Sequence, residues 1–169
     1  MKMKMKFSTL AILAIAFATN ASAQATATAT TTAVLVTPIS IAKTTDMDFG
    51  TVAASTLLGT VVLDTANTRS ITGGASLHGG TPTAAVFTVT GEPSTGFDIT
   101  IPSTDITLID GSSNTLVVNG LVTLGATSTL DGTTGTKDIK VGATLHLPAN
   151  AVAGTYTNAS DLFVTVNYN

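Results

Sequence analysis

Apolar residues recur along this chain with a period of two and almost nowhere with the helical period of about 3.6, and glycine, proline, asparagine and aspartate cut the alternating runs short. That pairing of signals limits the fold more tightly than any motif. A period of two puts successive side chains on opposite faces of a strand, and a short run bounded by turn residues is a strand that reverses. Val34–Ile41, Leu57–Leu63, Ala84–Val89, Phe97–Ile101, Thr115–Leu124, Ile139–Leu147 and Leu162–Tyr168 are such runs, rich in Val, Ile, Leu, Thr and Phe. Between them stand Gly73-Gly74, Gly79-Gly80-Thr81-Pro82, Gly91-Glu92-Pro93, Asp110-Gly111, Asn119-Gly120, Asp131-Gly132 and Pro148 to Gly154. Many short strands at this spacing predict an all-β, antiparallel sandwich or barrel.

Single strands show which side faces inward. In Gly96-Phe97-Asp98-Ile99-Thr100-Ile101, the Phe and Ile residues share a face opposite Asp98 and Thr100. In Ala85–Thr90, Ala85, Phe87 and Val89 form an apolar face opposite Val86, Thr88 and Thr90. Phe87, Val89, Phe97, Ile99 and Ile101 are therefore predicted to lie in the core.

The one long apolar stretch without turn residues is at the start. Lys2, Lys4 and Lys6, then Leu10 to Phe17, then Ala21-Ser22-Ala23 are the three parts of a secretory signal peptide, too short in its apolar part to span a bilayer. Cleavage is expected between Ala23 and Gln24, with no membrane span left afterwards. The chain is then expected to cross the inner membrane, pass through the periplasm and reach the cell surface or the medium.

Without those residues, Lys43, Arg69, Lys137 and Lys140 face ten acidic residues, a net charge near −6. That argues against nucleic acid or anionic membrane as partner, because both call for clustered Lys and Arg. Charged residues make up 10% of the chain against about 25% in an average soluble protein, which fits either a threonine-covered sandwich or a subunit that buries its faces in an assembly. There is no cysteine, which removes thiol catalysis, thiolate metal sites and disulfides. A chain of this length can form one hydrophobic core without them.

The residues give no argument for an enzyme, and no catalytic, cofactor or metal residue is assigned. His78 and His146 have no second histidine or carboxylate at ligand spacing, and His146, between Leu145 and Leu147, reads as an outward-facing strand residue. No nucleophile stands in a strand-then-helix setting. Asp110, Asp131 and Asp161 read as turn and loop residues, and Arg69 as a solvated loop charge. Asp46-Met47-Asp48 is a fragment of a calcium loop without its glycine and terminal Glu.

The two ends carry more. Near the C-terminus, Leu162, Val164, Val166 and Tyr168 share one face, with Phe163, Thr165 and Asn167 on the other. Such a strand can be the last core strand and also a strand to which a partner pairs by strand addition. Near the N-terminus, Ala25, Ala27 and Ala29 alternate with Thr26, Thr28 and Thr30 before the Ala33–Val36 run. An uncharged, β-prone segment outside the core is an edge that exported proteins avoid unless it has a partner. Alanine buries little area, so a donor role leans on Ala33, Leu35 and backbone pairing.

The ordered set ATATAT, VLVTPISIAKTTDMDFGTV, FTVTGEP and AGTYT with FVTVNYN resembles the bacterial family known as domain of unknown function 4402. Its layout is similar to the fimbrial subunits of chaperone-usher pili and the spore-coat-protein-U-like pilins. The resemblance implies an immunoglobulin-like sandwich completed by a neighbour's N-terminal strand, with copies of itself in a homopolymer and, in transit, a periplasmic chaperone and outer-membrane usher as partners. Tyr168 matches the penultimate tyrosine of such pilins, while the place of their conserved-distance glycine is taken by Tyr156, with Gly154 two residues earlier. The expected organisation is a signal peptide over 1–23, an N-terminal extension and possible donor strand over 24–33, and a sandwich over 34–169. The expected function is a non-enzymatic subunit of a surface filament that polymerises by strand exchange, without a cofactor. The alternative is a self-contained secreted module that binds carbohydrate or matrix.

Overall fold

A computed structural model describes residues 24–169, so the predicted signal peptide lies outside the described residues. The chain divides into Met1–Val34 and a compact unit, Leu35–Asn169. In the first, residues 24–34 form no strand and are exposed.

The compact unit is all-β and antiparallel. Its strands are β1 (Ser40–Thr45), β2 (Val52–Ala53), β3 (Gly59–Leu63), β4 (Arg69–Gly73), β5 (Ser76–Leu77), β6 (Ala85–Thr90), β7 (Gly96–Thr100), β8 (Ile106–Ile109), β9 (Thr115–Val122), β10 (Thr127–Thr129), β11 (Thr136–Leu147) and β12 (Thr165–Tyr168). The large sheet is built on β11, whose first half pairs with β6 and whose second half pairs with β3 and β9. β1 extends it beyond β6, β4 beyond β3, and β8 beyond β9. A second sheet has the order β10-β7-β12, and β2 pairs with β5.

The alternation read from sequence decides how the sheets meet. Along β11, Ile139, Val141, Ala143, Leu145 and Leu147 are all buried, so one face of this strand supports the whole core. Opposite its first half, Ala85, Phe87 and Val89 of β6 meet Phe97 and Ile99 of β7 and Val166 of β12, the sandwich proper. Over its second half, Val61, Leu63, Leu116, Val118 and Ile106 pack with Phe49 and Ala75, and Tyr156 and Leu162 close the layer. Of the five residues predicted in the core, four are buried, and Ile101 sits half-buried just past β7.

The structure differs from the sequence reading in four places, one being Asn119-Gly120, which lies inside β9 and not between strands, with Gly120 at φ 57. Val34–Val36, read as the start of a strand, lies outside any strand, and β1 begins at Ser40. Strands β2, β4, β5, β8 and β10 fall outside the alternating runs: β2 and β5 are two residues each, β10 (Thr-Ser-Thr) has no apolar residue to show a period, β4 has only Ile71, and β8 is four residues long. Arg69 is a half-buried residue of β4, not a loop charge. Its Nη1 donates to Phe49 O at 2.7 Å and Thr51 O at 3.4 Å, and its Nη2 to Gly79 O at 3.1 Å. The chain's single arginine thus ties the Asp48-Phe49-Gly50 turn to the glycine loop at 79–80.

Hairpin ends are held by aspartate, as expected for turn residues. Asp64 Oδ1 accepts from the N–H groups of Ala66 (2.8 Å) and Thr68 (2.7 Å), with Asn67 at φ 66. Asp110 Oδ1 accepts from Ser112 and Asn114, both at 2.8 Å, with Ser113 at φ 66. The same side chain-to-backbone arrangement closes both loops. Asp131 likewise accepts from the N–H groups of Thr133 and Thr134. Asp48 Oδ1 accepts from Gly50 N–H at 2.6 Å, and Asp46 pairs with Lys43, so the acidic fragment at 46–48 is spent on local structure.

Candidate functional site

The start of the compact unit, the turn after β6 and the end of β12 come together at one place. Pro38 biases Thr37 toward an extended backbone, which presents its N–H and C=O to the same side. There Thr37 N–H donates to Glu92 Oε2 at 2.9 Å, Tyr168 O–H donates to Thr37 O at 2.7 Å, and Glu92 N–H donates to the Tyr168 hydroxyl at 2.6 Å. The three bonds form a closed ring joining segments far apart in sequence. Gly91 makes room for it, since a Cβ there would collide with the Tyr168 hydroxyl.

Thr37 and Glu92 were not singled out by sequence. The available signal was that Glu92 is the chain's one glutamate, placed in a Gly-Glu-Pro turn. The Thr37 N–H bond holds the Glu92 carboxyl below its ordinary value. The Asn114 side chain does the same for Asp110, and the Thr134 N–H for Asp131. A carboxyl whose folded value is depressed stabilises the fold above its unfolded value, and that contribution is lost as pH falls through the folded value. Thermal midpoints measured from about pH 7 down to about pH 3 should therefore fall across the acid end. Glu92→Gln keeps an acceptor for Thr37 N–H but not the charge. It should lower the neutral-pH midpoint toward the acid value and flatten the acid decline, and an unaltered decline would remove Glu92 from the cause.

Beside the ring, β12 is one of the two edges of its sheet, and among the described residues it pairs only with β7. Asn169 N–H donates to Gly96 O, whereas Ile99 N–H donates to Ala126 O on the β10 side. In an antiparallel pair the bonded positions alternate, so Thr165 and Asn167 bond to β7. Val166 and Tyr168 then direct their backbone groups away from β7, toward the edge. β1 is the terminal strand of the large sheet and lies beside β12, so two sheet edges border the same side of the sandwich.

The sequence-assigned residues fall into two groups. Val164 and Val166 are buried, and Leu162 and Tyr168 pack on the same core, while Phe163, Thr165 and Asn167 face out. Ala25, Ala27, Ala29, Ala33 and Leu35 are exposed and belong to no strand, and Gln24 is the first described residue. Val34, Leu35 and Val36 are 83%, 93% and 56% exposed, three consecutive large apolar side chains in solvent. Among the described residues, no three histidine or carboxylate side chains converge to hold a metal, and no helix is long and apolar enough to cross a membrane. The arrangement offers backbone pairing and apolar burial to an incoming strand.

Residues 39–168 match the model of a family described as a domain of unknown function (DUF4402). No curated protein and no solved structure matches the chain.

Proposed function

We propose that this chain, which belongs to the DUF4402 family, is a non-enzymatic structural subunit of a surface filament that assembles by strand exchange. The observation that carries this reading is the exposed run Val34–Val36 in a chain whose β1 and β12 edges have no outer strand partner among the described residues. Exposed apolar β-formers and open sheet edges are each a pairing hazard unless they have a partner, and a second copy of the same chain supplies one. In this reading the segment from Ala25 to Leu35 of one subunit adds to the β12 edge of the next, with Leu35 supplying the burial that the alanines cannot. In this reading the sandwich is an immunoglobulin-like pilin domain, export uses the segment ending at Ala23, and a periplasmic chaperone and outer-membrane usher cover the edge in transit. The low charge supports burial of subunit faces in an assembly.

Size-exclusion chromatography with light scattering, on protein recovered from the cell surface, tests this. The natural chain should give a polymer ladder, and a triple Val34→Ser, Leu35→Ser, Val36→Ser variant should give monomer with the same thermal midpoint. A monomeric natural chain would favour the rival reading, a self-contained binding module, and a triple variant that still polymerises would exclude the segment as donor.

A further inference from the structure

On the outer face of the large sheet, one register row crosses four strands. Thr72 of β4 stands opposite Thr60 of β3, Thr60 opposite His146 of β11, and His146 opposite Val117 of β9. Three strand spacings make the row about 14 Å long. It forms the floor of a groove of about 560 Å³, with Leu58 and Pro148 on its wall. That volume lies within the range of ligand sites, which are mainly apolar with a few placed polar groups.

The polar groups are fixed by the protein. Thr60 and Thr72 share a hydrogen bond of 2.7 Å between their hydroxyls, and each hydroxyl keeps further capacity to donate or accept. His146 Nε2 lies 2.8 Å from Asn119 Oδ1. With the amide oxygen as acceptor, Nε2 carries the proton and Nδ1 is a lone-pair acceptor. Nδ1 has no protein partner among the described residues and is not sealed from solvent. No Asp, Glu, Lys or Arg lines the groove.

An uncharged lining gives an ionic ligand nothing to pair with. Hydroxyls and one acceptor nitrogen beside the Leu58 and Val117 side chains complement a molecule with hydroxyl groups on its edges and C–H groups on its faces. We propose that this groove binds a neutral oligosaccharide. Without an aromatic platform the expected dissociation constant is about 1 mM, a contact that becomes useful when many copies act together.

Amide chemical-shift titration of the protein with maltohexaose, cellohexaose and hexagalacturonate, each up to about 20 mM, tests the proposal at well above that constant. At least one neutral hexamer should give saturable shifts at Thr60, Thr72, Val117 and His146, with hexagalacturonate giving none there. His146→Ala should weaken binding about tenfold, and Thr72→Ala on the outermost strand, which decides the matter if His146→Ala fails to fold, about threefold. No saturable shift with either neutral hexamer would overturn the site, as would binding that both folded variants leave unchanged. The readout is that of a single subunit, so it stands or falls separately from assembly.

Discussion

Phe97→Ala should lower the unfolding free energy by about 3–5 kcal/mol, the largest loss expected from any single truncation in the chain. Phe97 is 0% exposed and is the largest fully buried side chain among the described residues, placed on β7 where the β10-β7-β12 sheet meets β6 and β11. Removing the ring takes away its transfer free energy and leaves a cavity between two sheets that cannot close without shifting a strand on both sides. At ~2–4 °C per kcal/mol, the thermal midpoint should fall by roughly 6–20 °C. Phe163 provides the comparison, being the same residue type on the outward side of the chain entering β12 and 52% exposed. Phe163→Ala should stay within about 0.5 kcal/mol. Equal effects from the two would mean that the inward and outward faces are assigned wrongly.

That contrast was legible in the sequence, because Phe97 alternates with Asp98 while Phe163 alternates with Leu162 and Val164. Period-two runs also carried the all-β class, the buried face of β11, and the shared face of Leu162, Val164, Val166 and Tyr168. The pattern fails where packing does not set strand identity. β10 is a strand because β7 offers it a ladder, and Val34–Val36 has every β-forming residue and forms no strand. The ring of Thr37, Glu92 and Tyr168 was unreadable for a different reason. Each of its three bonds uses a backbone group (Thr37 N–H, Glu92 N–H or Thr37 C=O), and backbone groups leave no mark on residue type. The groove was hidden likewise, since His146 could be seen to face outward but Thr60, Thr72 and Val117 become its neighbours only through register.

Gly142→Ala should cost about 2–4 kcal/mol, combining overpacking with weakened ladder hydrogen bonds, although alanine is the smallest replacement possible. Gly142 lies where β11 changes partners, between Val141 opposite Ala85 of β6 and Ala143 opposite Leu63 of β3. On its other side the pairing with β9 shifts register between Gly142 and Thr144. For β6 and β3 to share one strand, the end of β3 must approach β11 closely. A Cβ on Gly142 would collide with Leu63 O and reach within 3.1 Å of the Asp64 carbonyl carbon, both backbone atoms that no rotamer can move aside. The new methyl must therefore push β3 off β11 or break the changeover, which loosens the two halves of the core from each other. Urea unfolding should show a lower midpoint with an unchanged slope if only stability is lost, and a reduced slope if the halves come apart in separate steps. Gly111, at the β8–β9 hairpin loop, where an added Cβ meets nothing within 4 Å, is the matched control, and Gly111→Ala should be neutral to about 0.5 kcal/mol. If Gly142→Ala proved as harmless, the close approach of β3 to β11 would be wrong, and with it the reason a single strand can hold both halves of this sandwich.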